Sequence, residues 1–185
     1  MTDESSPGIQ IVKQGRARVF INSRDGKQLT LQRILENELS VIGVSCVLDN
    51  VIFNVSLETE TACEVALIPR VICKQLFSKN IAVKDSVIDM ITVKFSQTMR
   101  ILETVTFSSM GSRLANALIE QSSFAGSEIF TVTHESIAAD LGTAREVVTR
   151  LLNQFQTDGL VKLLRGKIEI NNMQALAAMR GEALR

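Results

Sequence analysis

The chain predicts an α+β fold: an antiparallel β-region, one long helix, and a C-terminal helical segment closed by a β-hairpin. Three observations predict it. Residues 9–68 are rich in Val, Ile, Thr and Phe and contain period-two stretches, the pattern of strands with one buried face. Residues 83–105 carry apolar side chains at steps of three and four, the pattern of a single helix face. Residues 133–152, THESIAADLGTAREVVTRLL, read as two short helices around a glycine turn.

Composition sets outer limits. With 185 residues, 45% of them hydrophobic and 22% charged, the chain can form one large domain or two small ones with real cores. It has no apolar run of roughly eighteen residues, so no helical membrane span is expected. The start, MTDESSPG, is acidic and polar and does not resemble a secretory signal, which suits a cytoplasmic protein. A formal net charge of zero argues against nucleic-acid binding driven by bulk charge, although a local basic patch fits within a neutral total. Cys46, Cys63 and Cys73 are odd in number and widely spaced, with no C-x-x-C. They fit small buried residues of a reducing compartment better than a disulfide framework or a zinc site.

Taken in order, residues 1–8 read as a tail. In GRARVFIN, Ala17, Val19 and Ile21 alternate with Arg16, Arg18 and, less cleanly, Phe20, giving a strand with one face inward. Asp25-Gly26 is a hairpin-turn signal, and residues 27–34 pair back as the second arm. Further strands are expected at 40–44, 51–57 and 63–68. Pro69 suits a first helical turn and opens a short helix through Phe77. In the long helix, Ile88, Ile91, Phe95, Met99, Leu102 and Val105 make a narrow stripe opposite Asp89, Lys94, Gln97, Arg100 and Glu103. Such a stripe fits a coiled-coil seam between two copies of the chain, with packing on its own β-region as the alternative. Met110–Gln121 follows as a helix burying Leu114, Ala117 and Leu118, then a loop and a short strand over 129–132.

The glycine turn is the most informative stretch. Ile137, Leu141, Val148 and Leu151 let one helix pack on the other, and Ala138 is small where the backbones approach. Gly142 supplies the positive φ of a sharp break, and Thr143 offers a side-chain cap to the second helix. That helix then presents Arg145, Glu146, Thr149 and Arg150, and Gly159 ends it. Strands over 160–164 and 167–170 meet at Arg165-Gly166 and form a wing, and a short helix spans 173–179. Between Arg145 and Lys167 five basic residues stand against two acidic ones, a local balance of +3. This is the layout of a winged helix-turn-helix, whose second helix enters the DNA major groove while cations of the wing neutralise phosphates. An ordinary helical hairpin would explain the glycine alone, but not the wing.

This order of parts resembles the Crp/Fnr superfamily of bacterial transcription regulators. The residues carrying the likeness are GRARVFINSRDGKQLTLQRIL, TACEVALIPR, and THESIAADLGTAREVVTRLLNQFQTDGLVKLLRGKIEI. The likeness covers nearly the whole chain from about Ile9. It implies a partial β-roll effector domain over 1–80, a dimerisation helix over 81–107 and a DNA-binding domain over 108–185. It implies base reading by Arg145, Glu146 and Arg150, with a half-site related to TGTGA. Arginine can bond guanine O6 and N7 together, and glutamate can accept from cytosine N4. Thr133, His134, Thr143, Lys162, Arg165 and Lys167 would contact the DNA backbone. Double-stranded DNA and a second copy of the chain are the implied partners, with RNA polymerase as a further candidate.

Two departures bear on the signal. Cyclic-nucleotide-binding members carry a glycine-glutamate pair and, further on, an arginine-serine pair. Here those places read Gly43-Val44 and Phe53-Asn54. A buried cyclic phosphate without a cationic partner is costly, so cyclic AMP is not expected to bind by the usual contacts, and no cofactor is predicted. Family members also usually have a helix and one or two strands before the point where this sequence starts, so the roll should be short there and expose an edge strand. A natural short member, a truncation and a misplaced start would each explain it. The scattered cysteines do not supply the four ligands of an iron–sulfur centre. The alternatives to a dimeric DNA-binding regulator are a redox- or ligand-sensing member, with Cys46, Cys63 or the β-roll carrying the signal, and an interaction protein without regulated DNA binding. An enzyme is not expected, and no catalytic or metal-binding residues are assigned. The one histidine, His134, lies far along the chain from Cys46, and no phosphate loop or metal-ligand cluster is present.

Overall fold

The structure is a computed structural model that describes residues 8–39 and 55–181. Two compact units emerge from it. One comprises residues 1–22 and 30–100, the other residues 23–29 and 101–185.

The β-rich unit begins with β1, Gly8–Gln14, which pairs antiparallel with β5, Glu64–Pro69, from Gly8 opposite Pro69 to Gln14 opposite Glu64. In a second sheet, β2 (Ala17–Asn22) lies between β3 (Gln28–Ile34) and β4 (Ser56–Thr59). The turn between β2 and β3 closes as Asp25-Gly26 predicts. Gly26 sits at φ 78°, and Ser23 N–H donates to Lys27 C=O at 2.8 Å. The expected strand at 40–44 and the first part, 51–54, of the one expected at 51–57 lie outside the described residues, as do Cys46, Val44 and Phe53. Within the described residues β4 ends two residues later than 57, and β5 runs one residue later than 63–68.

The alternation in GRARVFIN holds only partly. Ala17 and Val19 are buried, but so is Phe20, while Ile21 is exposed. Phe20 is covered by its strand neighbour on the same face: the Arg18 guanidinium lies 4.4 Å from the ring centroid. The arginines expected to face water are thus integrated into the sheet. Arg18 pairs with Glu58 at 2.7 Å, and Glu60 receives Arg16 at 2.6 Å and Arg33 at 3.0 Å. Cys73 is buried as expected, whereas Cys63 is only partly so; its Sγ donates to Arg16 C=O.

Helix α1 spans Arg70–Lys79, with Pro69 as its N-cap residue rather than its first helical one. Helix α2 runs without interruption over Ile81–Phe107, longer than its apolar stripe, and buries none of its residues.

The C-terminal unit forms one core. Helix α3, Met110–Ala125, extends a turn beyond the expected end at Gln121 until Gly126, at φ 60°, terminates it. Ser122 belongs to this helix and is buried, its hydroxyl donating to Ser127 C=O. Strand β6 (Ile129–Thr131) pairs with β8 (Lys167–Ile170), which pairs with β7 (Val161–Leu164). Helices α4 (His134–Leu141), α5 (Arg145–Thr157) and α6 (Met173–Gly181) complete the unit. Leu114, Leu118, Ile137, Val148, Leu152 and Leu176, each at most 1% exposed, join the strands' Val161 and Ile168 in one cluster.

Candidate nucleic-acid interface

Helix α4 begins where its sequence dictates. Thr133 is the N-cap, and its hydroxyl accepts from Ser136 N–H at 3.0 Å. It ends at Gly142, whose φ of 67° is the left-handed turn a glycine takes without strain. The second cap differs from expectation. Thr143 does not cap α5; Ala144 holds the N-cap position, with extended φ and ψ and no side-chain bond. Two residues rather than one are needed to pass from the left-handed glycine to the first helical residue, so the cap falls one place later. Among the described residues Val147 N–H closes on Ala144 C=O at 3.0 Å.

Helix α5 is strongly two-faced. Val148, Leu152 and Phe155 are buried in the core. Arg145, Glu146 and Arg150 are exposed, and Glu146 and Arg150 stand four residues apart on one face. Arg145 and Arg150 have no ion-pair partner among the described residues, so their guanidinium forks are available to acceptors.

Around α5, Thr133 is exposed and His134 and Thr143 are partly buried. His134 Nδ1 lies 2.9 Å from the Thr149 hydroxyl, which donates to Arg145 C=O at 3.0 Å. The first helix of the pair is therefore tied to the second beside Arg145. Sequence reasoning missed this tie because i to i+15 contacts between polar side chains leave no periodic signal. It also missed Arg113 of α3, whose guanidinium donates to Leu141 C=O at the end of α4. Burial lowers the Arg113 guanidinium from its ordinary value, but the group stays cationic and suits a helix C-terminus.

The wing forms as its sequence implies. Lys162 stands opposite Glu169, and Leu164 opposite Lys167, with Arg165 and Gly166 at the turn. Gly166 takes φ 72°. Arg165 and Lys167 are exposed. Lys162 shares its charge with Glu169 at 3.8 Å, a loose and exposed pair that screens little. Arg145 and Arg150 on α5, and Lys162, Arg165 and Lys167 on the hairpin that follows it in the chain, are thus all exposed.

On helix α2, Ile88, Phe95, Met99, Leu102 and Val105 are exposed, Phe95 at 62%, and Ile91 is partly buried. No helix among the described residues is long and apolar enough to cross a membrane.

Comparison with known proteins agrees with this arrangement. Residues 112–179 match the profile of the Crp-like helix-turn-helix domain. The chain is 24% identical over 168 residues to the cyclic AMP receptor protein of Thermus thermophilus, spanning 91% of this chain and 77% of that protein. A solved structure from Eubacterium rectale, assigned to the Crp/Fnr family of transcriptional regulators, is 33% identical. It superposes with a TM-score of 0.91 over 97% of this chain and 83% of that one. A second regulator of the Crp/Fnr family, from Thermus thermophilus and 18% identical, shares the fold with a TM-score of 0.76 over 94% of this chain and 87% of its own. With a winged helix-turn-helix at its C-terminus and a likeness that runs through the β-rich unit as well, this chain belongs to the Crp/Fnr family of transcription regulators.

Proposed function

We propose that the chain works as a cytoplasmic homodimer that reads a palindromic DNA site. One observation carries the reading: α5 buries Val148, Leu152 and Phe155 while leaving Arg145, Glu146 and Arg150 exposed. Such a helix is anchored on one side and chemically equipped on the other. Arg145 and Arg150 suit guanine, Glu146 suits cytosine, and together they favour a half-site related to TGTGA. Thr133, His134, Thr143, Lys162, Arg165 and Lys167 are assigned to the phosphate backbone, where they fix register. The exposed apolar stripe of α2 supports the dimer, since a second copy of the same helix would cover it. Two recognition helices about one DNA turn, ~34 Å, apart then read a two-fold site. RNA polymerase would be contacted by the assembled dimer on DNA.

The decisive experiment is unbiased selection of bound duplexes by the purified protein, in reduced and oxidised buffer. A two-fold symmetric sequence is expected, unaltered by cyclic AMP because Val44 and Phe53 replace the family's charged ligands. A selection without symmetry would overturn the reading. Recovery of the site in only one of the two buffers would transfer the signal to the cysteines, and Cys46→Ser and Cys63→Ser variants would identify which.

A further inference from the structure

The turn between β2 and β3 packs on the helix pair. Residues 23–29 belong to the C-terminal unit, although most of the two strands they join belongs to the β-rich one. Leu29, the second residue of β3, pairs backbone to backbone with Leu141, the last residue of α4, as an isolated antiparallel bridge. Its side chain lies against Gly142. A Cβ placed on that glycine would sit 3.4 Å from Leu29 Cβ and Cδ1, and 3.6 Å from Gln28 C=O. Gln28 and Leu29 are half-buried, while Ser23–Lys27 stay exposed. Leu141 has a second neighbour in Arg113 of α3, whose guanidinium donates to its C=O. The N–H groups of Gly142 and Thr143 both turn back to Ala138 C=O. The joint between α4 and α5 is therefore held by α4 itself, by α3 and by the hairpin.

A hairpin that plugged the reading face would cover Arg145, Glu146 or Arg150, yet all three are exposed with it in place. We infer that the β2–β3 hairpin is a brace for DNA reading, with Leu29 as a positioning residue that acts through Leu141 and Gly142 on the start of α5. The inference rests on the DNA-binding reading above and adds a control point outside the winged helix. The joint is the soft place of the pair. Glycine has the widest backbone freedom of any residue, and α5 starts without a side-chain cap. A backbone bridge and an apolar side chain restrict that joint, so less ordering remains to be done when DNA binds. The brace is also the direct continuation of β2 and β3, whose Val19 and Ile34 are buried in the β-rich core. A ligand that shifts those strands would then change DNA affinity without touching DNA.

The test uses the full chain and the selected duplex, with affinity read by fluorescence anisotropy. Leu29→Ala should weaken binding by about two- to thirtyfold, the range for residues that touch neither ligand yet alter coupling. The selected sequence should stay the same. Leu29→Met keeps an apolar side chain of similar volume and should bind as the wild type does. Without DNA, hydrogen exchange at the Gly142 and Thr143 amides should quicken in Leu29→Ala while that of Leu152 does not, a readout independent of affinity and of global unfolding. A second variant locks the brace. The 3.4 Å separation is close to the ~3.5–4.5 Å between the Cβ atoms of a disulfide. Leu29→Cys with Gly142→Cys, in a chain whose Cys46, Cys63 and Cys73 are replaced by serine, can therefore be oxidised and reduced. Both states carry the same side chain at position 142, so its strain cancels in the comparison. The oxidised form should bind DNA at least as tightly as the reduced form. Loss of binding on oxidation would make the hairpin a plug that has to leave, and overturns the brace. Unchanged affinity in Leu29→Ala, or an altered selected sequence, overturns it as well and spares the regulator. Absence of sequence-specific binding by the wild type overturns both.

Discussion

In the C-terminal unit sixteen buried apolar side chains, from Leu114 to Leu176, join one cluster; in the β-rich unit the described residues give a cluster of Val12, Val19 and Ile34. Among the described residues, the contrast is in how far the apolar side chains of each unit join one cluster. In the C-terminal unit α3, the α4–α5 pair, the β6–β8–β7 sheet and α6 all supply side chains to the core. The β-rich unit instead leaves Val65, Leu67 and Val71 exposed and holds its strands with ion pairs such as Arg33–Glu60. Helix α2 carries the difference furthest: 27 residues and none buried. Among the described residues, the C-terminal unit gathers its apolar side chains into one core, while α2 leaves its apolar stripe exposed.

The largest expected effect tests what covers that stripe. Replacing Phe95 and Leu102 by glutamate on α2 should convert a dimer to a monomer by analytical ultracentrifugation. Two large apolar side chains lose burial worth about 3–6 kcal/mol together, before the added charges repel across the seam. The far-UV circular dichroism of the C-terminal unit should persist. If the double variant sediments as the wild type does, α2 is covered by something other than its own copy.

The second effect compares the two cores. Leu152→Ala removes a fully buried side chain from the centre of the large cluster and should cost about 2–5 kcal/mol in denaturant unfolding. It should also lower DNA affinity, because α5 rests on that side chain. Ile34→Ala removes an equally buried side chain that joins Val12 and Val19 among the described residues; with fewer cluster partners to lose, its cost should fall at the lower end, about 2 kcal/mol. A larger loss at Ile34 than at Leu152 would reverse the comparison.

Legibility in the sequence followed the same divide. The winged helix was readable because each of its parts has a local cause: Thr133 and Gly142 at the two ends of α4, Gly159 after α5, and Arg165-Gly166 at the wing. The 3.6-residue period also separated Val148 from Arg145, Glu146 and Arg150 without reference to anything distant, although Leu152 is fully buried where the pattern named Leu151, which is only partly so. The β-region was harder. Phe20 is buried under the guanidinium of its same-face neighbour Arg18, and Arg18 and Arg33 are held in the sheet by Glu58 and Glu60. Those partners are 40 residues away for Arg18 and Glu58, and no period encodes them. The long-range ties at the site, His134 to Thr149 and Arg113 to Leu141, were invisible for the same reason.

The smallest effect lies inside the C-terminal unit. Helix α4 has a side-chain cap from Thr133, while α5 starts on Ala144 with none. Ala144 nonetheless has φ −89° and ψ 148°, the extended geometry that a capping serine adopts. A serine hydroxyl there could accept from the amide of Val147, three residues on, in place of the tight turn to Ala144 C=O. Thr133→Ala should therefore lower stability by about 1 kcal/mol and Ala144→Ser raise it by a similar amount, each read by thermal unfolding. The two changes lie in different helices and share no hydrogen bond, so their effects should nearly cancel in the double variant. A double variant well below wild type would mean that α5 has no cap to gain. Its start would then be held by the core through Val148 alone, and the packing of this one core would extend to the first turn of the recognition helix.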